Sequence, residues 1–148
     1  MRISEATEAD AGEIAMLLGE VEAYYGGPDT AAPVDQVRAA LFGGRAVATV
    51  LLARDDDQAL LGFASYSFHW PAAGADTSIY LKELFVRETA RRRGVAGALM
   101  DAVVEVGRRT GCSRLEWTAD ADNPPALAFY EARGAEENPG KVAYRQPL

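Results

Sequence analysis

The feature that most narrows the fold is a change of pattern around residues 86–94. Residues 78–86 read as an apolar strand, Ser-Ile-Tyr-Leu-Lys-Glu-Leu-Phe-Val. A basic turn, Arg91-Arg92-Arg93-Gly94, comes next. Beyond it Ala96, Leu99, Met100 and Val103 fall on one face of a helix. A strand that feeds a helix through a glycine turn needs a sheet on which that helix can lie. The helix start is also an anion site. Its first N–H groups have no partner within the helix, and the helix dipole adds partial positive charge there. Gly94 has no Cβ, so a phosphate can approach the backbone closely. No Gly-Lys-Ser/Thr follows and there are not three spaced glycines, which excludes a P-loop and a dinucleotide fingerprint. The competing reading is a solvated arginine turn.

The rest of the chain supplies the sheet. Residues 2–6 form a first strand, and Thr7-Glu8-Ala9-Asp10 has the pattern of a helix start with a capping side chain and a reciprocal acid. Ile14, Leu17, Leu18 and Val21 then trace one buried helical face, which Tyr24 and Tyr25 end before Gly26-Gly27-Pro28. A short helix covers residues 34–41. Strands at 46–53, 60–70 and 78–86, joined by an Asp55-Asp56-Asp57 turn and a loop at 71–76, predict an antiparallel meander. A strand at 114–118, a helix at 123–132 and two terminal strands, near Glu136 and at 142–146, complete the order. The class is α/β (α+β): a mixed, mostly antiparallel sheet with helices on its faces, in one domain spanning residues 1–148.

Composition excludes several functions. The formal net charge of −7 disfavours nucleic acid as a partner, while Arg87, Arg91, Arg92 and Arg93 gather positive charge in one place, which suits a small polyanion. Cys112 is the only cysteine and His69 the only histidine, which removes intrachain disulfides, cysteine-based metal sites and most Ser-His-Asp arrangements. No apolar run reaches membrane-spanning length and no signal-peptide pattern opens the chain, so a cytoplasmic location is expected.

A second block follows the strand Leu115-Glu116-Trp117-Thr118. It reads Asn123-Pro124-Pro125-Ala126-Leu127-Ala128-Phe129-Tyr130-Glu131-Ala132-Arg133-Gly134-Ala135. Together, Arg91-x-x-Gly94-x-Ala96 and this block resemble the two signature segments of the GNAT acetyltransferase superfamily, in order and spacing. The resemblance implies the GNAT fold, with its sheet splayed between the fourth and fifth strands, and acetyl-coenzyme A as cosubstrate. It implies that the coenzyme is held by the strand backbone at Leu84, Phe85 and Val86 and by the loop Arg91, Arg92, Arg93, Gly94, Val95 and Ala96, with Asn123 at the pantetheine arm and Phe129, more a core residue than a catalyst, also at the coenzyme. Asn123 is equally suited to cap the last helix. A homodimer is implied too, and no metal.

Acetyl transfer to an amine needs an oxyanion contact, a base for the ammonium and a proton for the departing sulfur. Backbone N–H groups of the fourth strand can give the first, freed by a bulge as in the family. Tyr130 is the implied general acid, against a role in packing with Phe129 or in binding the sulfur. Glu83 lies in an apolar run where an unpaired carboxylate is costly, and so is a candidate base or an ion-pair partner. By strand alternation Lys82 points to the opposite side from Glu83. Within the superfamily the chain is most similar to diamine and thialysine acetyltransferases, carried by residues 62–68 and 79–86, Gly111-Cys112-Ser113 and the Asn123 block. Diamine enzymes read Leu-Glu-Asp where this chain has Leu81-Lys82-Glu83, and carry an acid where it has Tyr25. Polyamine specificity therefore does not carry over. Tyr25, Trp70, Tyr80 and Lys82 are the expected acceptor-site residues, with Tyr24, Tyr66 and His69 nearby candidates and Glu20 or Glu22 as residual negative charge. Aromatics plus a lysine suit an aromatic or carboxylate-bearing amine. The expected function is acetyl transfer to a small-molecule primary amine by direct attack in a ternary complex. The rivals are a protein N-terminal or lysine acetyltransferase and a non-catalytic acyl-coenzyme A-binding module.

Overall fold

The computed structural model describes residues 1–148, which divide into two compact units, Met1–Trp117 and Thr118–Leu148. The first unit holds β1 (Arg2–Glu5), α1 (Ala11–Tyr24), α2 (Val34–Phe42), β2 (Thr49–Arg54), β3 (Leu60–His69), β4 (Ser78–Val86), α3 (Val95–Arg109) and β5 (Arg114–Glu116). The second holds α4 (Pro124–Ala132). The five strands form one sheet in sequence order. The first three pairings are antiparallel and β4–β5 is parallel.

Helices cover both faces, which is why β2 and β3 read as nearly continuous apolar runs rather than alternating ones. Ile14, Leu17 and Val21 of α1 and Val37 of α2 pack with Val50, Leu52, Phe63 and Phe85 on one face. On the other face α3 lies so close that a Cβ on Gly107 would stand 3.1 Å from the Ile79 side chain. The buried stripe of α3 is Val95, Leu99, Met100 and Val103; Val95 takes the place expected for Ala96, which is half-buried. Gly62 has a packing reason, since a Cβ there would run into the Phe85 carbonyl oxygen.

The expected helix start forms, with an added short turn. The Asp10 carboxylate accepts from the Thr7 N–H (2.8 Å) and the Thr7 hydroxyl (2.9 Å) around the 3-10 turn Glu8–Asp10, and α1 begins at Ala11. Asp10 also takes a 2.8 Å bond from Arg54 of β2, which pairs in turn with Glu13. Burial raises the Asp10 pKa, but the Thr7 and Arg54 contacts outweigh it and hold the carboxyl below its ordinary value of 3.8. The folded pKa is therefore lower than the unfolded one, so this contribution to stability is complete above the unfolded value and is lost as pH falls through the folded one. Asp10→Asn is expected to lower the urea midpoint at pH ~6, and the gap to wild type should narrow below pH ~3. An equal gap at both values would contradict the assignment.

Two expectations about the sheet are corrected. No strand forms near Glu136 or at residues 142–146. The segment is broken by Gly134, Pro139 and Gly140, and its best strand formers, Val142 and Tyr144, are exposed (75% and 93%) rather than packed on a partner. The strand expected at 46–53 begins only at Thr49.

The splay between β4 and β5 is present. Only Ser78, Ile79 and Tyr80 pair with β5, so β4 from Leu81 to Val86 has no β5 partner on that edge. The anticipated bulge is present as well. Ser65 of β3 faces Glu83 and the next residue, Tyr66, faces Leu81, which leaves Lys82 as the extra residue.

Candidate active site

The bulge changes which residues share a face. β3 is regular from Phe63 to His69 against β4, so Phe63, Ser65, Ser67 and His69 lie on one face, and their partners Phe85, Glu83, Tyr80 and Ser78 lie there with them. This is the face of α1 and α2, since Phe63 and Phe85 belong to that core. An unbroken strand would alternate Tyr80 and Lys82 on one side with Leu81 and Glu83 on the other. With one residue inserted, Tyr80 and Glu83 come to the same face and Lys82 stands between Leu81 and Glu83, exposed at the bulge. Simple alternation therefore does not run through Lys82.

The expected acceptor residues do not gather in one place. His69 stacks on Tyr80 with ring centroids 4.8 Å apart. At the end of α1, Tyr24 meets Tyr25 edge-on at 5.1 Å, contacts the Phe85 ring at 6.5 Å and lies under the Arg91 guanidinium at 5.2 Å. Tyr24 thus joins the first helix to β4 and the arginine loop. It continues the Ile14, Leu17, Val21 stripe by one more helical step, which is the signal that marks it in the sequence. Trp70 is 70% exposed, and its indole N–H donates to the Ala75 carbonyl within its own hairpin loop. Tyr66 is a core residue on the α3 face, 4% exposed, and its burial raises the phenol pKa.

Two charges have structural partners instead of ligand roles. Arg87 is not part of an open anion cluster: its Nε lies 3.0 Å from both Glu20 carboxylate oxygens, its Nη2 2.6 Å from one of them, and its Nη1 bonds the Leu60 carbonyl. Glu20 is taken up by the same bond and is not spare negative charge for an acceptor.

The loop before α3 has the features of a phosphate cradle. Gly94 is the N-cap residue, with φ +78° in the left-handed region, and a Cβ there would meet nothing within 4 Å. Arg92 also has positive φ (59°). These turns lead straight into the start of α3, whose first N–H groups have no intrahelical partner and favour an anion. No side chain caps α3 and no acid lies in its first turn. Arg91, Arg92 and Arg93 are exposed, and Arg91 is anchored by a 3.1 Å bond from its Nε to the Val86 carbonyl. Leu84 and Val86 are half-buried, whereas Phe85 and Val95 put their side chains in the core, so these two can serve a ligand only through backbone. Ala96 is half-buried behind the loop. The residues present fit a diphosphate.

In the second unit, Asn123 caps α4, its Oδ1 accepting from the Ala126 N–H at 3.3 Å. Phe129 and Tyr130 meet at 5.2 Å, and the Arg133 guanidinium lies 5.7 Å from the Phe129 ring centre. No residue of α4 is fully buried, and Phe129 and Tyr130 are each half-buried.

Comparison with known proteins agrees with this geometry. The acetyltransferase (GNAT) family matches residues 14–135, and the chain belongs to that family of N-acetyltransferases. It is 29% identical over 143 residues to the thialysine N-epsilon-acetyltransferase of Bos taurus, covering 91% of this chain and 84% of that one. It is 32% identical over 81 residues to the L-ornithine N5-acetyltransferase NATA1 of Arabidopsis thaliana, covering 55% of this chain but only 36% of that protein. Among solved structures, an integron cassette protein from the mobile metagenome of V. cholerae superposes with a TM-score of 0.85 at 30% identity, covering 99% of this chain and 92% of that one. No helix is long and apolar enough to cross a membrane.

Proposed function

We propose that the chain transfers the acetyl group of acetyl-coenzyme A to the primary amine of a small molecule, by direct attack with both substrates bound. The observation that carries this reading is the stretch from β4 to α3. A carboxylate beside a bulge, a strand edge without a β5 partner, and an uncapped helix start behind a left-handed glycine follow one another in the chain. The names of the bovine and plant relatives, which specify amines of small molecules, support the same acceptor class.

When bound, the coenzyme supplies an acetyl thioester; transfer moves the acyl group from sulfur to nitrogen, with one proton leaving the amine and one reaching the sulfur. The chain's residues supply the rest. The α3 start and the exposed arginines hold the diphosphate. The open edge of β4 offers N–H and C=O groups to an amide-bearing arm, as an added strand would use them, and its N–H groups stabilise charge on the carbonyl oxygen. Glu83 takes the proton from the ammonium, and Tyr130 gives one to the sulfur. Residues 1–148 act as one catalytic domain in this reading. A homodimer is proposed on the resemblance alone.

The test is to incubate the protein with cell extract and labelled acetyl-coenzyme A. Label is expected in the small-molecule fraction and only at background level in protein. Label in protein would replace this acceptor class with N-termini or lysines.

A further inference from the structure

We propose that the acceptor carries a carboxylate and that Lys82 binds it, so that Lys82 sets the choice of amine. The inference rests on the acetyl-transfer reading above and names the substrate class of the same site.

The bulge is the first ground. It makes Lys82, the neighbour of Glu83 in sequence, an extra residue without a β3 partner, beyond the last β4 residue paired with β5. The Cα atoms of Lys82 and Glu83 are about 3.8 Å apart, as in any trans peptide. The ammonium of one and the carboxylate of the other read a substrate with the opposite pair, an amine and a carboxylate joined by a short chain. Amine and carboxylate would then be held at once, and the amine aimed by its distant end.

The second ground is that Lys82 has no structural task. It is exposed, and its ammonium enters no ion pair or hydrogen bond. In a chain of net charge −7, the arginines that organise the fold are paired: Arg54 with Asp10 and Glu13, Arg87 with Glu20. Lys82 is also the only lysine of the first unit, the other being Lys141. Lysine gives a mobile point charge on a flexible stem, able to follow a carboxylate without the fixed fork of a guanidinium.

The third ground is the surroundings. Tyr80, with His69 stacked on it, lies beyond the bulge on one side of Glu83, and Phe85 beneath Tyr24 lies on the other. Such walls suit an aliphatic or aromatic spacer and leave Lys82 as the polar anchor.

The magnitude follows from exposure. An exposed ion pair changes affinity by at most about fivefold, and reversing the charge replaces attraction by repulsion of similar size. A switch of about tenfold or more in relative specificity is expected.

The experiment measures kcat/KM for lysine, lysinamide and cadaverine with wild type and Lys82→Glu, following thiol release, with KM for acetyl-coenzyme A as a check on folding. Wild type is expected to prefer lysine to the amide and the diamine by about fivefold or more. Lys82→Glu should invert that order, raising cadaverine turnover while the coenzyme KM stays unchanged. Equal use of lysine and cadaverine by wild type overturns the inference. So does a Lys82→Glu variant whose substrate ratio is that of wild type. If none of these nor any other amine in a wider panel releases thiol, the small-molecule reading fails, and this inference with it.

Discussion

Tyr130→Phe is expected to lower kcat about 10²-fold while leaving acetyl-coenzyme A affinity nearly unchanged. The change keeps the ring and its contact with Phe129 and removes only the hydroxyl. A phenol of reference pKa about 10 gives its proton to a thiolate of about 8.5 only as negative charge develops on sulfur. The loss should therefore fall on turnover rather than on binding. Steady-state kinetics with coenzyme binding measured separately distinguishes the two. Turnover at the wild-type rate would make water the proton source and leave Tyr130 as a packing residue of α4.

The second large effect is expected at Gly94. Its φ of +78° is one that β-branched residues avoid, and its Cβ direction opens into empty space where the phosphate reading puts the ligand. Gly94→Val should add backbone strain, on the order of 1–3 kcal/mol, and place two methyl groups in the cradle. Wild type at a coenzyme concentration a hundredfold above Kd should gain about 2.7 kcal/mol of stability. The Val variant should fold, somewhat less stably, and gain almost nothing from coenzyme. Retention of the full gain would mean that the diphosphate does not rest on the Gly94 turn.

Periodicity made much of this fold legible. The α1 stripe, the bounds of β4 and the switch to helix after Gly94 all follow from local patterns, because a strand or helix that packs one face on a core repeats its apolar residues at a fixed step. The splay and the bulge came from likeness to a family, not from pattern. A bulge is a mismatch between two strands, and nothing in residues 79–86 alone records that Ser65 and Tyr66 skip Lys82. For that reason simple alternation cannot be carried through Lys82. Arg87 misled for a related reason. Its partner Glu20 is 67 residues away, so in the sequence it counted with the three loop arginines as open positive charge. In the tail, Val142 and Tyr144 alternate as a strand would, but a strand needs a neighbour to bond, and neither side chain is buried. At the candidate site, the glycine turn at the start of α3 and the Asn123 cap were legible from residue type and position. The contacts of Tyr24, His69 and Tyr80 were not, because they are made between β3, β4 and the end of α1 by register.

The central claim is transfer of an acetyl group from the coenzyme to an amine, and product stoichiometry tests it most directly. With saturating acetyl-coenzyme A and a panel of primary amines that includes lysine, free thiol and acetylated amine should appear in equal amounts, with the amine product heavier by one acetyl group. Coenzyme binding without thiol release above the rate of spontaneous hydrolysis, across the whole panel, would contradict the account and leave an acyl-coenzyme A-binding module.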